Sequence, residues 1–343
     1  MNRRVCGLLA DERFLMHETG AHLETPARLR ALYDMLDREG LRARMVGIEA
    51  RRATIEELAL NHTLSYIEML ERMGAGSLDA DTVVSAGSHE TALLAAGGCL
   101  NMVDAVMEGD ISSGLALVRP PGHHAESGRG MGFCLFNNIA IAARHLIGRH
   151  GAKRVAILDW DLHHGNGTQH SFYGEKEVLY ISLHQSPCYP GTGMLTETGE
   201  GDGEGFTLNL PIPQGVGDRG YVRAFKELFI PAMTAYGPDI ILVSAGFDSH
   251  RFDPLGGMEV SAGGFGEMTR LLMNRADDLC GGKIAFFLEG GYSLDGLAES
   301  VKEVALGMLG EKEASPVVLT EGVGIDSVLE AAKMIHGKYI GNF

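Results

Sequence analysis

Eight short runs rich in valine, isoleucine and leucine alternate along the chain with segments of helical periodicity, and few architectures accommodate that alternation. The runs fall at residues 5–9, 45–48, 115–118, 155–158, 178–183, 206–210, 240–244 and 284–288. Strands that are apolar on both faces must be covered on both faces. The pattern therefore predicts an α/β chain whose mostly parallel sheet of about eight strands lies between layers of helices. Helix ends are legible between the runs. Thr25-Pro26 offers an N-cap followed by proline at the first helical position, and Gly40 offers a stop. Thr54 and Glu57 read as a capping box. Further helices are predicted over residues 88–108, 138–150, 218–236, 261–280 and 295–309, with a loop and one amphipathic helix in the last thirty residues. Neither linker composition nor an internal repeat divides the 343 residues, so residues 1–343 are read as a single domain.

In open parallel sheets, ligands bind beyond the carboxyl ends of the strands. The chain has 47 glycines, about twice the usual share, and many of them follow the strand runs, which implies elaborate loops there. Five of these loops carry an unusual set of polar groups. The run at 115–118 leads to Arg119, Gly122, His123 and His124, and the run at 155–158 leads to Asp159, Asp161, His163 and Asn166. His184 follows 178–183, Asp248 follows 240–244, and Glu289, Gly290, Gly291 and Tyr292 follow 284–288.

Asp161 and His163 are two residues apart, a spacing that sends both side chains to one side of an extended segment, and Asp248 is a third candidate ligand from another strand end. Three such donors with an open position suit a catalytic divalent metal. Alone, an Asp-x-His pair is more often an ordinary loop; its company here reverses that balance. His123 and His124 read either as a base and its helper or as a structural turn. Asp159 and Asn166 could orient the two rings, and because a carboxylate keeps its histidine protonated while an amide does not, the second ring would be the base. Tyr292 is either an oxyanion donor brought close by the two glycines or a core tyrosine in a glycine turn.

The net charge of −16, with no basic run, argues against nucleic-acid binding; it would attract lysine-rich peptides or polyamines, though it is also an ordinary solubility device. No signal peptide and no apolar window of membrane-spanning length is read. Five scattered cysteines without a CxxC suggest reduced thiols and a cytoplasmic location.

The segments RPPGHHAESGRGMGFCLFNNIAIAA, ILDWDLHHGNGTQ, YISLHQSPCYPGTG, VSAGFDSHRFDPLGGMEVS and LEGGYSLDGL, with HLETPARL before them, resemble the histone deacetylase superfamily. The resemblance is to its class II and bacterial histone-deacetylase-like amidohydrolase branch. It runs in collinear order over residues 15–309 and leaves 310–343 as a C-terminal flank. It implies the arginase/deacetylase fold and one zinc ion per chain, bound by Asp161, His163 and Asp248. His123 and His124 become the catalytic pair, with Asp159 and Asn166 behind them, and Tyr292 polarises the scissile carbonyl. Gly132, Phe133, Tyr189, Leu255 and Gly291 are implied to line a substrate tunnel, with Tyr189 standing where the family often has phenylalanine. A K+ or Na+ site at Asp159, Asp161, His163, Ser182 and Leu183 is also implied, in part through backbone oxygens. The implied reaction is hydrolysis of an acyl-amide, with an acylated lysine of a protein or peptide, or a small acylated amine, as substrate. Polyamine-selective relatives carry a glutamate at the tunnel mouth where Leu255 stands here, which favours acyl-lysine. Asp79 and Asp81 are acidic candidates for the same mouth. The competing readings are an acetylpolyamine amidohydrolase, a non-catalytic acyl-lysine binding module and a dinuclear manganese enzyme. The last lacks further carboxylate ligands in these loops. Oligomeric state is left open.

Overall fold

The computed structural model describes residues 4–311 and 319–340. Ten strands occur among them: β1 (Cys6–Leu9), β2 (Val46–Gly47), β3 (Gly76–Ser77), β4 (Val83–Val84), β5 (Ser113–Ala116), β6 (Val155–Asp159), β7 (Val178–Gln185), β8 (Thr207–Ile212), β9 (Ile240–Ala245) and β10 (Ile284–Leu288). All but β3 and β4 form one sheet in the order β2-β1-β5-β10-β9-β6-β7-β8, and every pairing in it is parallel. The eight sequence runs are these eight strands. Every residue of β5, β6, β9 and β10 is buried, as strands covered on both faces must be. This is the helix-flanked parallel sheet that the resemblance implies.

β5 begins two residues before its apolar run, because Ser113 and Gly114 already pair with β1 and β10. A β-carbon on Gly114 would lie 2.1 Å from the Met102 sulfur, so the helix Ser88–Glu108 packs down only on a glycine there. Strand propensity does not reveal such a requirement. The short antiparallel ribbon β3–β4 has two residues per strand, too few for an apolar run to announce it.

The helices Ser88–Glu108 and Asn138–His150 have their predicted limits. Thr54 and Glu57 form the capping box. At the first helix the reading shifts by one residue: Pro26 itself occupies the N-cap position ahead of Ala27–Arg38, without a side-chain cap bond. The run at 218–236 is helical but interrupted by a π turn, Phe225–Phe229, just before Pro231. A proline inside a helix removes one N–H and crowds the carbonyl four residues back, and a wide turn relieves both. The C-terminal helix Asp326–Ile340 leans on β8 and on that interrupted run, where Lys333 reaches Glu227 at 2.7 Å. No helix among the described residues is long and apolar enough to cross a membrane.

Candidate active site

The five strands whose ends carry the polar loops are far apart in sequence but consecutive in the sheet, as β5-β10-β9-β6-β7. Parallel pairing brings all five carboxyl ends to one rim. Asp161 and His163 leave β6, Asp248 leaves β9, and one ligand atom from each lies within 4.8 Å of the others. His163 Nδ1 is 3.2 Å from Asp161 Oδ1 and 3.0 Å from Asp248 Oδ2. The outer carboxylate oxygens are fixed by backbone: Gly290 N–H donates to Asp161 Oδ2 (2.9 Å) and Leu162 N–H to Asp248 Oδ1 (2.8 Å). Glycine is required around them. A β-carbon on Gly246 would fall 2.0 Å from Asp161 Oδ2, and one on Gly290 would fall 2.4 Å from Asp248 Oδ2.

Two carboxylates and an imidazole thus converge where water is nearly excluded, since Asp161 and Asp248 are 1% and 0% exposed. Burial, and then the Asp161 charge, push the Asp248 carboxyl up to about 7. Buried negative charge of this kind calls for a cation. A donor set of two oxygens and one nitrogen with room for another ligand fits a catalytic zinc and lacks the fourth ligand of a structural one.

The loop after β5 lays His123 and His124 beside these groups, their ring centroids 4.0 Å apart. His123 Nδ1 donates to Asp159 Oδ2 (3.0 Å) and His124 Nδ1 to Asn166 Oδ1 (2.8 Å). Burial opposes charge on both rings, with different outcomes. Around His123 the Asp161, Asp159 and Glu289 carboxylates overcome it and raise the ring to about 10. Around His124 the neighbouring His123 and His163 add to it, and the ring falls well below the ordinary histidine value. The second ring is therefore neutral, and with its Nδ1 hydrogen bonded to Asn166 its Nε2 lone pair is free to accept a proton.

Tyr292 ends the loop after β10. Its backbone N–H donates to Asp253 Oδ2 (2.6 Å), its ring meets Phe133 edge-on at 5.8 Å, and the Arg28 guanidinium lies 4.9 Å from its centroid. Gly291 has φ 115, a conformation that favours glycine, and a β-carbon there would strike Phe247 at 2.8 Å. The loop is anchored from beneath. Arg28 donates to the carbonyls of Gly291 and Glu289, both at 2.6 Å, and is itself paired with Glu24, which also holds Arg119. All three charged side chains are 0% exposed. The Glu289 carboxylate accepts from the backbone of Gly122 (2.7 Å) and His123 (3.1 Å), so it ties the tyrosine loop to the histidine loop. Neither spacing nor a strand-end position marks Glu24, Arg28, Asp253 or Glu289 as an anchor in the sequence. The only available signal was their presence within or near the motif segments.

Phe133 has φ 70, the only positive value among the described residues other than glycine. The Tyr189 ring stands 5.0 Å from His124 and 6.2 Å from His163, and a β-carbon on Gly132 would strike the His124 ring at 2.4 Å. Tyr189 and Gly132 thus flank the His124 ring, and Phe133 and Gly291 flank Tyr292. Leu255 is tied to the tyrosine loop only through Asp253, which accepts from the Leu255 and Tyr292 backbones with its two oxygens. The loop of Asp79 and Asp81 runs beside Phe133 and Tyr189. Thr82 Oγ1 accepts from Phe133 N–H (3.1 Å), and burial, Cys134 and then the Asp81 and Asp79 charges raise the Tyr189 phenol. His184 does not join the site. It lies within β7 and bonds Ser182 Oγ and the Gly193 carbonyl instead. Pairing of β6 with β7 sets Asp159 opposite Ser182, with Leu183 buried next to it.

The histone deacetylase domain family model matches residues 22–308. The chain is 40% identical over 347 residues to histone deacetylase 10, chloroplastic, of Oryza sativa subsp. japonica, covering 93% of this chain and 78% of that protein. It is 42% identical over 297 residues to a probable deacetylase of Archaeoglobus fulgidus, covering 85% and 82% respectively. The crystal structure of the HDA15 HD domain superposes with a TM-score of 0.90 at 40% identity, covering 98% of this chain and 95% of that one.

Proposed function

The chain belongs to the histone deacetylase family, and from that premise we propose that it is a zinc-dependent hydrolase removing an acyl group, acetyl foremost, from the side-chain amine of lysine in proteins or peptides. The observation that carries this reading is the convergence of Asp161, His163 and Asp248 beside a neutral and a charged histidine. One zinc ion held by those three residues would supply Lewis acidity toward the amide carbonyl and water. Every remaining role falls to side chains of this protein. His124 Nε2 takes a proton from water as its oxygen bonds to the carbonyl carbon. The Tyr292 hydroxyl donates to the oxyanion that develops. The histidine pair then delivers a proton to the lysine nitrogen as the C–N bond breaks, releasing a free amine and a carboxylic acid. Asp159 and Asn166 keep the two rings in their separate protonation states.

Gly132, Phe133, Tyr189, Gly291 and Leu255 form the tunnel of this reading, which also includes K+ or Na+ at Asp159, Asp161, His163, Ser182 and Leu183. The 343 residues act in it as one catalytic domain. The five free cysteines agree with a reducing compartment such as the cytoplasm. A second reading, hydrolysis of acetylpolyamines, draws on the acidic pair Asp79 and Asp81 near Tyr189 and is opposed by the apolar Leu255. One experiment separates the readings: metal-stripped protein is reloaded with zinc and offered acetyl-lysine peptides, longer acyl-lysines and acetylputrescine. We expect acetyl-lysine turnover that disappears on stripping and returns with zinc. Preference for acetylputrescine would move the substrate to polyamines. Binding of acetyl-lysine peptide without turnover by the zinc-loaded protein would replace the enzyme with a binding module.

A further inference from the structure

A second convergence of ligand atoms lies away from the active site. Asp104, His145 and His150 present one carboxylate oxygen and two imidazole nitrogens within 4.8 Å of one another. His145 Nε2 and His150 Nε2 both lie 2.7 Å from the same atom, Asp104 Oδ1. We propose that these three residues bind a second divalent transition-metal ion, zinc by its donor set, which clips the helix Ser88–Glu108 to the helix Asn138–His150.

The position follows from the helices. Asn137 and Asn138, at the start of the second helix, bond the backbone of the His123–His124 loop through Ala125 O and Pro120 O. From there the helix rises about 1.5 Å per residue, so His145 and His150 lie roughly 10 and 18 Å further along, away from the deacylase centre. His145 is its seventh residue beyond Asn138 and faces Asp104; His150 is its last residue and reaches the same oxygen.

A carboxylate meeting two histidines only to satisfy hydrogen bonds has two oxygens over which to spread them. Here both rings address the same oxygen, which gathers all three ligand atoms into one small volume. The hydrogen-bonded separation of 2.7 Å is shorter than the roughly 3.3 Å between ligands of a tetrahedral zinc with bonds near 2.0–2.1 Å, so loading requires the rings to part by about 0.6 Å. The His163 trio is similarly close, at 3.0 and 3.2 Å. Two imidazoles and a carboxylate select a late first-row metal over calcium or magnesium, whose sites are built from oxygens. Side-chain exposures of 6% for His145, 16% for Asp104 and 15% for His150 leave the site shielded yet open to exchange. The nearby cations do not block it. Arg149 Nε is 3.9 Å from Asp104 Oδ1 but its side chain is 61% exposed and free to turn outward, and Arg51 is held by both Glu57 oxygens at 2.7 Å.

The test uses the full chain, stripped of metal and dialysed against micromolar zinc, with bound metal counted by mass spectrometry. Wild type should hold two zinc ions per chain. His150→Gln, at the half-open helix end, should hold one and keep acetyl-lysine turnover within about twofold; Asp104→Asn is the second variant should His150→Gln fold poorly. The affinity lost at this site should exceed the 10–100-fold that removal of a mere orienting partner costs. Asp248→Asn should also hold one ion, and zinc should still raise its melting temperature. One zinc per chain in wild type, unchanged by His150→Gln, would overturn the proposal, as would a second ion bound only at millimolar concentration. If stoichiometry falls with His150→Gln but not with Asp248→Asn, the second site stands and the assignment of the first one fails.

Discussion

The Tyr292 hydroxyl is the one catalytic group in the proposed site whose function survives or vanishes with a single atom. Its ring is positioned by Phe133 at its edge and Arg28 over its face, contacts that phenylalanine would keep. Tyr292→Phe should therefore fold and bind substrate normally while kcat falls about 10²–10³-fold, the cost of removing one oxyanion donor; steady-state kinetics with an acetyl-lysine peptide checks this, and an unchanged rate removes the role. The histidine pair gives a second prediction. His124 is kept neutral by burial, by the charged His123 beside it and by an amide partner that adds no charge. In Asn166→Asp a carboxylate beside the ring would favour its charged form, raising its pKa by about a unit or more. A base works only when neutral, so the acid limb of the kcat/KM profile should move to higher pH. That Asp161, His163, Asp248, His123 and His124 would converge was legible in the sequence because each follows a strand run within a few residues. Arg28 and Glu289 were not legible as anchors, because the Arg28 contacts join positions 261 to 263 residues apart, those of the Glu289 carboxylate positions 166 to 167 apart, and a lone arginine normally reads as surface. His184 misled for the opposite reason: it follows an apolar run, but β7 continues through it to Gln185.

At the level of elements, the loop after β10 depends on a buried ion cluster that joins Glu24, Arg28 in the helix Ala27–Arg38 and Arg119 beyond β5. Burial alone would raise the Glu24 carboxyl, but Arg119, His17 and Arg28 lower it to about 2. Arg28 in turn holds the carbonyls of Glu289 and Gly291. Glu24→Gln leaves two buried guanidinium groups without their counter-charge, at a cost of roughly 3 kcal/mol or more. Urea denaturation should show that loss, and turnover of the folded fraction should fall as well because the Tyr292 loop loses its footing. A variant of wild-type stability would show that the cluster is dispensable. The elements themselves were readable where burial and propensity agree, as in the wholly buried β6 and β9 and in the helices Ser88–Glu108 and Asn138–His150. They were less readable where tertiary packing overrides propensity. Gly114 enters a strand because Met102 leaves no space for a side chain, and the π turn before Pro231 exists to accommodate a residue that ought to end the helix.

Across the whole molecule, several histidines far apart are buried in the neutral form, and that arrangement makes the fold sensitive to acid. Burial lowers His62 and His336 to about 4. It does the same to His17, where the pull of Glu24 is insufficient to restore the ordinary value. Each pKa is lower in the folded protein than the 6.5 of the unfolded chain. Their stabilising contribution is therefore complete above pH 6.5 and is lost as pH falls toward 4, since the unfolded chain takes up protons that the native one refuses. His336 isolates the effect. It lies on the C-terminal helix, away from the deacylase site, is 0% exposed, and among the described residues neither of its ring nitrogens has a hydrogen-bond partner. Leucine at this position removes both the unpaired polar atoms and the titration. Between pH 8 and pH 5 wild type should lose about 2 kcal/mol more than His336→Leu, the linkage expected for one group moving between 6.5 and about 4. Urea midpoints measured at the two pH values supply the comparison. Equal losses in the two proteins would mean that His336 takes up its proton in the native state, and that the C-terminal helix opens to admit it.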